Sequence, residues 1–309
     1  MAVQKGIDRS TMVTGDANED EGLWRDLRSL DRLLTAEETS ALRRFDVTIT
    51  QYIALMGLSH SLGQSSAHMA RCLGVTPQAT HSLLRRLEAQ DFVERVNDTY
   101  SETVKVNSLT EDGRKVTDQS DAVLQEIEAR RKELLSPASY NRLLDLLSKV
   151  VRLNVIDGTA EQVEAQKKLE KVVQARVGAS VRHLSSHYAS EIVTALKNHK
   201  LTASQYFVLE TLAPREQKTT SQIVSDSSMP QQSGSSAVLA LDQAGLIQSS
   251  PAAHHIRLSL RSLTSAGIEQ RKASIERARE VEQAILRPLS QDQAHELASS
   301  VRQALRILG

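Results

Sequence analysis

The chain matches itself when it is shifted by 154 positions without a gap, and this repeat constrains its fold more than any other feature. Tyr52 aligns with Tyr206, and the Ser-Leu-Thr tripeptide at 108–110 aligns with the same tripeptide at 262–264. A single offset that holds over a whole domain indicates two copies of one fold rather than a short-period solenoid. The length of 309 residues agrees with two domains of ordinary size.

The repeat divides the chain into four segments. Residues 1–20 mix Gly, Asp, Asn and Thr without apolar periodicity, and we expect them to form a disordered tail. Copy one is expected at 21–155 and copy two at 177–309, with a linker at 156–176 between them. Thr159 begins a Thr-Ala-Glu-Gln sequence that is typical of a capping box. The linker is therefore expected to be helical and to continue into the first helix of copy two.

The composition is that of a globular protein. Aromatic residues make up only 3% of the chain, so the core must be mainly aliphatic, which favours helices. Cys72 is the only cysteine, which excludes an intramolecular disulfide and a zinc cluster of several thiolates. No apolar run approaches the roughly 18 residues of a membrane span, and the N-terminus lacks the apolar core of a secretory signal. We expect a cytoplasmic protein that does not contact a membrane.

Motifs of enzymes are missing from the sequence. It has no glycine-rich phosphate loop, no nucleophile elbow and no zinc-hydrolase helix motif, so we predict neither an enzyme nor a cofactor. The formal net charge is zero, which gives no support to a strongly basic nucleic-acid binder.

The apolar spacing predicts a mostly α-helical fold with small two-stranded β-wings. Leu23, Leu27, Leu30 and Leu34 recur at helical spacing and predict a first helix that extends to about residue 44. In copy one, a short helix is then predicted at 65–73.

The middle of each copy has the order helix, turn, helix and ribbon. In copy one, Pro77 begins a helix that extends to about residue 90, and two short strands follow at 92–96 and 103–106. Copy two repeats this order, with its short helix expected at 219–227. This is the arrangement of a winged helix-turn-helix, whose second helix fits the major groove while the ribbon extends along the DNA backbone.

The residues of this segment resemble the MarR family, whose members are ligand-responsive bacterial transcription factors. Residues 69–87, which begin Met-Ala-Arg-Cys-Leu-Gly-Val-Thr-Pro-Gln, are similar to the family's helix-turn-helix. Residues 87–93 and the Leu-Thr-Glu-Asp-Gly-Arg sequence at 109–114 resemble its L-E-x-x-G-L-V and L-T-x-x-G-R pattern. The ordered set occurs twice, and the resemblance covers nearly the whole chain outside the tail and the linker.

The resemblance implies that the first and last helices form a dimer interface that carries two DNA-reading heads. Because one chain contains both copies, we expect tandem winged helix-turn-helix domains in an intramolecular pseudo-dimer that needs no further oligomerisation. Heads about one DNA turn apart, roughly 34 Å, would then reach adjacent major grooves of a double-stranded DNA operator.

Candidate DNA-binding residues lie in the recognition helices and wings of both copies. Gln78 and Arg85 are best suited to base or phosphate contacts. Copy two offers few cations, Gly234 weakens its recognition helix, and neither wing contains the Asp-x-Arg element common in the family. The alternative is that Arg85 and Arg86 form only a solvated helix face. The candidates are Thr76, Gln78, Ala79, His81, Ser82, Arg85, Arg86, Arg95, Lys105, Gln231, Gln232, Ser233, Ser235 and Arg257.

Candidate effector-binding residues follow from the same resemblance, because MarR-like proteins usually bind a small, often aromatic or phenolic acid between the dimerisation helices and the winged domain. Arg28 and Arg182 occupy the same position in the two copies, and each is suited to pair with a carboxylate. The alternative is that Tyr52 and Tyr206 are core residues and the arginines are structural ion-pair partners. The candidates are Trp24, Arg28, Tyr52, His60, Arg182, His183, His187, Tyr188 and Tyr206.

A metal site is not predicted. His183, His187 and Glu191 share one helix face, so a zinc site is conceivable, but copy one has Ser and Leu in place of the two histidines. Cys72 has no activating cation nearby except Arg71, and we expect an inert thiol.

Two functions are compatible with these observations. The first is a ligand-responsive DNA-binding regulator, expected to be a repressor that a small aromatic or phenolic acid releases from DNA. The alternative is a ligand sensor or anti-regulator that binds proteins rather than DNA, which the neutral heads and the depleted wings would favour.

Overall fold

The computed structural model describes residues 22–60, 69, 77–98, 101–151, 160–252 and 255–309. The first part of the chain contains α1 (Leu23–Leu42), α2 (Ile49–Ser59), α3 (Pro77–Ala89), β1 (Val93–Asp98), β2 (Ser101–Leu109), α4 (Glu111–Leu135) and α5 (Pro137–Val150). One turn of 3-10 helix, Arg43–Phe45, follows α1. The short helix predicted at 65–73, including Cys72, lies outside the described residues except for Met69.

The second part of the chain is also mostly helical. Its elements are α6 (Ala160–Gln174), α7 (Val177–Ala195), a 3-10 turn (Lys197–His199), α8 (Ala203–Thr211), β3 (Lys218–Thr219), α9 (Thr220–Asp226), α10 (Gln231–Gln243), β4 (Ile247–Ala252), β5 (His255–Leu263), α11 (Ser265–Leu286) and α12 (Gln291–Leu308). The prediction of a mostly helical fold with small antiparallel sheets is confirmed. In the part of the chain that the structure describes, no helix is long and apolar enough to cross a membrane.

Corresponding elements of the two parts begin at the sequence offset. The elements α1, α2, α3, β1, β2, α4 and α5 begin 154 residues before α7, α8, α10, β4, β5, α11 and α12, for example at 77 and 231. The recognition helices and the ribbon strands also end at this offset. The spacing of the sequence repeat is therefore also a spacing of secondary structure.

Equivalent capping residues explain why the helices begin at equivalent positions. The Thr48 hydroxyl accepts a hydrogen bond from the backbone N–H of Gln51, whose side chain accepts one from the backbone N–H of Thr48. Thr202 and Gln205 form the same capping box at the start of α8. Such a box satisfies two of the N–H groups that the first turn of a helix leaves unpaired.

Two glycines allow the long helices to begin against the preceding loops. A Cβ atom on Gly113 would lie 1.9 Å from the carbonyl oxygen of Phe92, and one on Gly267 would lie 1.9 Å from that of Leu246. The same carbonyl groups accept hydrogen bonds from the backbone N–H groups at the caps of α4 and α11. Only glycine fits this close approach, which fixes the angle between each ribbon and its long helix.

The two ribbons are antiparallel, but their sheets differ. Val93 lies opposite Leu109 in the β1–β2 pair, and Ile247 lies opposite Leu263 in the β4–β5 pair. In the second part, β3 also pairs with β5, so that sheet has three strands in the order β3-β5-β4. The predicted strand pair is therefore present in the second part, but its sheet contains a third strand that the sequence did not predict. A two-residue strand is too short to produce an alternating pattern that a sequence can reveal.

The main hydrophobic core is shared between the two parts of the chain. Helix α1 packs against α7 and α12, and α5 packs against the same two helices. Leu27 and Leu30 of α1, Leu184 of α7 and Val301 of α12 are all buried in one cluster. A second cluster lies beneath α3 and the β1–β2 ribbon of the first part.

The segment predicted as a linker is helical, but the helix is interrupted before α7. Helix α6 ends at Gln174, and Arg176 is extended, with φ −134° and ψ 129°, before α7 begins. The Gln174 amide donates to the carbonyl oxygen of Val151, and Arg176 Nη2 donates to Asp121 Oδ1 at 2.7 Å. The expectation of one helix continuing into α7 is wrong, because these contacts hold the chain in an extended turn. Thr159 lies outside the described residues.

We expect Gly113→Ala to lower the free energy of unfolding by about 2 kcal/mol or more, because the new methyl group has to displace the Phe92 backbone. Urea unfolding followed by circular dichroism measures this change. The matched control is Gly57→Ala in α2, where no neighbouring atom of the described residues lies within 4 Å of the added Cβ and alanine favours the helix. The control variant should be as stable as the parent or more stable. Equal losses in both variants would contradict the explanation.

Candidate DNA-reading surface and effector site

Helix α3 is amphipathic and presents the predicted recognition residues of the first part to solvent. Leu84 and Leu87 are fully buried, as is Thr80 on the same helix. The opposite side is therefore exposed, as contact with a DNA groove requires. The predicted residues that lie on it are Gln78, Ala79, His81, Ser82, Arg85 and Arg86, whereas Thr76 lies outside the described residues.

The wing of the first part contributes less positive charge than the sequence predicts. Arg95 Nε lies 3.0 Å from Glu88 Oε1, so the positive charge of this arginine is partly neutralised by a carboxylate at the end of α3. Both side chains remain partly exposed, and such a surface pair contributes at most about 1 kcal/mol to stability. The side chain of Lys105 lies outside the described residues.

Sequence reasoning missed two exposed arginines beside α3, namely Arg43 and Arg44. Arg43 and Arg86 line an open groove of about 490 Å³ at the C-terminal end of the recognition helix. Arg44 is exposed next to them, with its guanidinium carbon 4.8 Å from the centroid of the Phe45 ring. The Arg-Arg dipeptide directly after α1 was the available signal. These residues add positive charge to the surface that carries α3.

Helix α10, the counterpart of α3, exposes a neutral surface. Gln231, Gln232 and Ser233 are exposed, and Ser235 is half-buried. The positions equivalent to Arg85 and Arg86 are occupied by Leu239, whose exposed fraction is 57%, and by an alanine. No residue of α10 is basic. The side chain of Arg257 in the neighbouring ribbon lies outside the described residues.

Gly234 has a packing role that the sequence did not reveal. A Cβ atom on this glycine would lie 2.8 Å from both methyl groups of Val224 in α9. The glycine therefore lets α9 and α10 approach each other closely. This packing offsets the lower helix propensity of glycine.

The geometry of the second part defines the class of protein. Helices α9 and α10 pack against each other through Gly234, and the β4–β5 ribbon follows α10 directly. A helix pair followed by an antiparallel ribbon is the winged helix-turn-helix arrangement of DNA-binding proteins. In the first part, α3 and the β1–β2 ribbon have the same relation.

The predicted effector residues separate into several groups, of which one is aromatic. The centroids of the Trp24 and Tyr188 rings lie 4.2 Å apart with an interplanar angle of 16°. The Phe207 ring lies 6.2 Å from that of Tyr188 and 5.5 Å from that of Tyr206. All four side chains are buried, and we call them the aromatic cluster. It joins α1 of the first part to α7 and α8 of the second.

Arg28 lies against the aromatic cluster and is only partly satisfied. Its Nη2 atom lies 2.7 Å from Glu210 Oε2, and its guanidinium carbon lies 3.9 Å from the centroid of the Phe207 ring. The side chain is 7% exposed, and its Nε and Nη1 atoms have no hydrogen-bond partner among the described residues. A buried donor without a partner costs about 1–3 kcal/mol.

A second carboxyl group lies in the same region. Tyr188 donates a hydrogen bond to Glu282 Oε1 at 3.1 Å. Burial raises the pKa of Glu282 to about 7, and the negative charge of Glu210 adds to this effect, while the Tyr188 hydrogen bond and the charges of Arg279 and Arg28 oppose it. Glu282 therefore holds its proton in conditions where an ordinary glutamate has lost it.

Arg182, the counterpart of Arg28, is bound by groups of the chain itself. It donates hydrogen bonds to the hydroxyl of Thr35 and to the carboxylate of Glu38, both in α1. Arg182 is a predicted effector-binding residue, but the structure gives it partners in the other part of the chain. This agrees with the alternative that the arginine is a structural ion-pair partner.

Sequence reasoning also missed Arg131, which shares the Glu38 carboxylate with Arg182. It is 1% exposed and donates to Glu37, Glu38 and Glu128 as well as to the carbonyl oxygen of Leu34. An arginine four residues after Ile127 in the apolar stripe of α4 was the available signal. We call the charges at this place the ionic cluster. Glu38, Glu128 and Arg131 are its buried members, and Glu37 and Arg182 are partly exposed.

Tyr52 is buried in a separate place. Its hydroxyl donates to Asp121 Oδ1 at 2.5 Å, and Arg176 donates to both groups, at 3.0 Å to the hydroxyl and 2.7 Å to the carboxylate. Burial opposes ionisation of Asp121, but the hydrogen bonds from Tyr52 and Arg176 lower its pKa. Tyr52 therefore connects α2 to Asp121 of α4 and to Arg176, and its burial agrees with the alternative that it is a core residue.

The histidine candidates lie apart from these clusters. Nδ1 of His60 lies 2.9 Å from the carbonyl oxygen of Met56 at the end of α2. The rings of His183 and His187 are stacked 6.4 Å apart, and His187 lines a groove between α7 and α11 together with Glu191. Within the described ranges, no group of three or more His, Cys, Asp or Glu residues is arranged to hold a metal ion.

Comparison with known proteins identifies the family. A model of the MarR family matches residues 45–99. The HTH-type transcriptional repressor Rv2887 of Mycobacterium tuberculosis is 32% identical over 118 residues, which are 38% of this chain and 85% of the repressor. The repressor Mb2911 of Mycobacterium bovis matches with the same figures. The chain therefore belongs to the MarR family, whose members are DNA-binding transcription factors and not enzymes.

Solved structures give alignments of similar extent. The structure of Rv2887 in complex with salicylic acid is 31% identical and aligns with 40% of this chain and 90% of that protein, with a TM-score of 0.35. A probable transcriptional regulator from Pseudomonas aeruginosa is 29% identical and aligns with 38% of this chain and 87% of its own, also with a TM-score of 0.35.

We expect folding stability to decrease as the pH rises from 4.5 to about 7, because Glu282 is protonated over this range in the folded chain but ionised in the unfolded chain. Glu282→Gln removes this proton linkage, so the variant should lose less stability over the same range. Urea unfolding at several pH values measures the slope. Glu280→Gln, on the same helix but exposed, is the control and should keep the slope of the parent. Identical slopes in the parent and Glu282→Gln would contradict the assignment.

Arg131→Met should cost about 3–5 kcal/mol of unfolding free energy, because it leaves buried carboxylates without their cation. The neighbouring Arg130 is 59% exposed and pairs only at the edge of the cluster, with Glu37. Arg130→Met should therefore cost less than about 1 kcal/mol. Denaturant titration of both variants tests this difference, and a small effect of Arg131→Met would contradict the structural role assigned to Arg131 in the ionic cluster.

Proposed function

We propose that this chain is a ligand-responsive transcriptional repressor in which one polypeptide supplies both heads of a MarR-type dimer. In this proposal the winged-helix copies are residues 21–155 and 177–309, and residues 156–176 join them. The two copies form an intramolecular pseudo-dimer, and a second chain is not required. The repressor assignment is supported by the names and the 32% identity of the mycobacterial relatives.

One ion pair gives the strongest support for the pseudo-dimer. Arg142 Nε of α5 donates to Glu296 Oε1 of α12 at 2.6 Å. These two residues are 154 positions apart. They are therefore equivalent positions in the two copies. When two equivalent residues of a two-fold arrangement touch each other, they lie on the two-fold axis. An isologous interface at α5 and α12 accounts for this contact directly.

The helix packing supports the same relation. The contact of α1 with α12 has its counterpart in the contact of α7 with α5. The contacts of α1 with α7 and of α5 with α12 join equivalent helices to each other. A two-fold relation between the copies predicts both kinds of contact. The pattern is the intramolecular form of an interface that two chains would otherwise share.

We infer that the first head makes most of the DNA contacts. Arg85, Arg86 and His81 are exposed on α3, and Arg43 lies in the groove beside them. Phosphate neutralisation supplies much of the affinity for DNA, and the counterpart helix α10 has no cation to contribute. The proposed complex is therefore asymmetric, with one strong half-site and one weak half-site.

The effector in this proposal is a small aromatic or phenolic acid. Of the predicted arginines, Arg28 supports this role best, because two of its nitrogen atoms have no hydrogen-bond partner among the described residues and its guanidinium lies on the Phe207 ring of the aromatic cluster. Arg182 and Tyr52 are occupied by Glu38 and Asp121. The effector would act between α1 and the second winged helix, where a bound compound changes the contact of the two parts.

A DNA-binding experiment on the purified chain tests the proposal. We expect the chain to sediment as a monomer and to shift DNA from upstream of its own gene at low salt, with one chain per operator. Arg85→Ala together with Arg86→Ala should weaken binding by at least about tenfold, because each lost phosphate contact removes part of the counterion-release contribution. The control is Leu239→Ala in α10, at the position equivalent to Arg85, since the position equivalent to Arg86 is already an alanine, and it should change the affinity little.

Footprinting on the same DNA tests the asymmetry. Protection should be strong at one half-site and weak at the other. The absence of a gel shift at low salt would overturn the DNA-binding role. An obligate dimer in which each copy pairs with a copy from another chain would overturn the pseudo-dimer.

One observation favours a second candidate function, a sensor or anti-regulator that binds a protein. Leu239 is 57% exposed on α10, at a position where the first copy has an arginine. Exposed leucine on a surface without cations suits a protein contact better than a phosphate contact. If the double arginine variant of α3 keeps full regulatory activity, this second function is preferred.

A further inference from the structure

We propose that the pairing face of each copy fits the other copy and disfavours a second copy of itself. The partner that the first copy accepts is a winged-helix subunit with glycine, and no larger residue, at the position of Gly178. This inference rests on the pseudo-dimer of the proposed function and names the partner that its interface selects. Two equivalent places at the junction, one beside Trp24 and one beside Gly178, differ in a way that produces this selectivity.

The place beside Trp24 is apolar. Trp24 and Gly178 are the second residues of α1 and α7, 154 positions apart. Trp24 is 3% exposed, and its ring stacks on Tyr188 of the second part with 4.2 Å between the centroids. Ile192 and Ile285 of the second part are buried in the same core cluster. The second copy therefore offers an apolar surface, and the first copy covers it with an indole ring.

The first copy has ions where the second copy has apolar side chains. At the same offset, Glu38 corresponds to Ile192 and Arg131 corresponds to Ile285. Arg131 Nη1 donates to Glu38 Oε1 at 2.8 Å and to Glu128 Oε1 at 2.9 Å, and all three residues are buried. Buried ions of this kind are stable only while they keep each other as partners.

Gly178 is the residue of the second copy that meets these ions. A Cβ atom on it would lie 2.3 Å from Glu38 Oε1, 2.6 Å from Arg131 Nη1 and 2.8 Å from Glu128 Oε1. The backbone N–H of Gly178 also donates to Glu128 Oε1 at 2.9 Å. The three side chains cannot move aside for a larger residue without breaking their buried network, so this place requires glycine.

Two first copies would collide if they paired with each other. Each would present Trp24 where Gly178 now lies, and the indole ring would have to enter the space that the ionic cluster occupies. A two-fold interface repeats the same collision on its other side. The first copy therefore rejects another first copy, and it rejects any related subunit that has a large residue at this position.

Two second copies would leave both places underfilled. Each Gly178 would face the apolar surface that the Trp24 ring covers now, so the burial of a large aromatic side chain would be lost twice. The cavities that remain weaken the association further. Only the mixed pair combines a ring with the apolar surface and a glycine with the ions.

Cross-linking of the full chain shows which copies pair. Arg142 and Glu296 are equivalent residues in contact across the junction, and both side chains are partly exposed. Arg142→Cys alone therefore reports a pair of first copies, Glu296→Cys alone reports a pair of second copies, and the two together report the mixed pair. All three are made in a Cys72→Ser background and treated with a short bismaleimide. We expect a cross-link only in the double variant, within one chain.

Gly178→Trp should reverse this preference. The new ring collides with the ionic cluster in the mixed pair, but in a pair of second copies it takes the place that Trp24 has now. We expect the mixed cross-link to decrease by about tenfold or more. Glu296→Cys alone should now join two chains, and the chain should sediment as a dimer. Ser186→Trp, on the exposed side of α7, is the control and should keep the pattern of the parent.

A rescue variant decides the question if Gly178→Trp does not fold. Glu38→Ile and Arg131→Ile give the first copy the residues that the second copy has at these positions. In combination with Gly178→Trp, they offer the new ring an apolar surface in the mixed pair. We expect this triple variant to unfold at a higher temperature than Gly178→Trp alone and to recover the mixed cross-link.

Three results would overturn the proposal. They are a cross-link between chains in either single-cysteine variant of the otherwise unmodified chain, the same cross-links in Gly178→Trp as in Ser186→Trp, and no recovery in the triple variant. The proposed function is tested separately. A mixed cross-link that joins two chains instead of lying within one would contradict the pseudo-dimer and leave the pairing preference intact, and a gel shift on the same samples tests the repressor role alone.

Discussion

The packing of α1 against α7 and α12 is the contact on which the rest of the molecule depends. Leu27, Leu30 and Leu34 of α1 are buried in a core that includes residues from both parts of the chain. Burial of a leucine side chain contributes about 1.5–3 kcal/mol, so this helix joins the parts mainly through the hydrophobic effect. The aromatic and the ionic clusters both contain residues of α1 and of the second part, and neither would exist without this packing.

The two clusters occupy equivalent places but use different physical chemistry. On one side, an arginine with two donors that have no partner among the described residues lies against a cluster of stacked rings. On the other side, Arg131 satisfies three carboxylates in a space that Gly178 leaves open. Two identical chains cannot differ in this way, because a substitution in a homodimer changes both sides at once. In the proposed pseudo-dimer, in which one chain supplies both copies, that constraint is absent. The same freedom explains how α3 can keep its arginines while α10 has none.

Much of the fold was predictable from local sequence patterns. The spacing of leucines predicted α1, and the offset predicted that the elements of the second part would begin where they do. The exposed face of α3 also followed from the pattern, since Leu84 and Leu87 had to point towards the core. The third strand of the second sheet and the extended turn at Arg176 were not predictable, because distant contacts determine both.

The candidate effector site shows the same division. The sequence by itself determined that Arg28 and Arg182 are equivalent, that the helices are amphipathic and that the chain resembles the MarR family. Only the tertiary structure decided that Arg28 pairs with Glu210, 182 positions away, and that Arg182 pairs with Glu38, 144 positions away. Local patterns report the helix on which a residue lies and the face it occupies. Local patterns do not show which distant carboxylate will pair with that residue, because the pairing depends on how the helices pack.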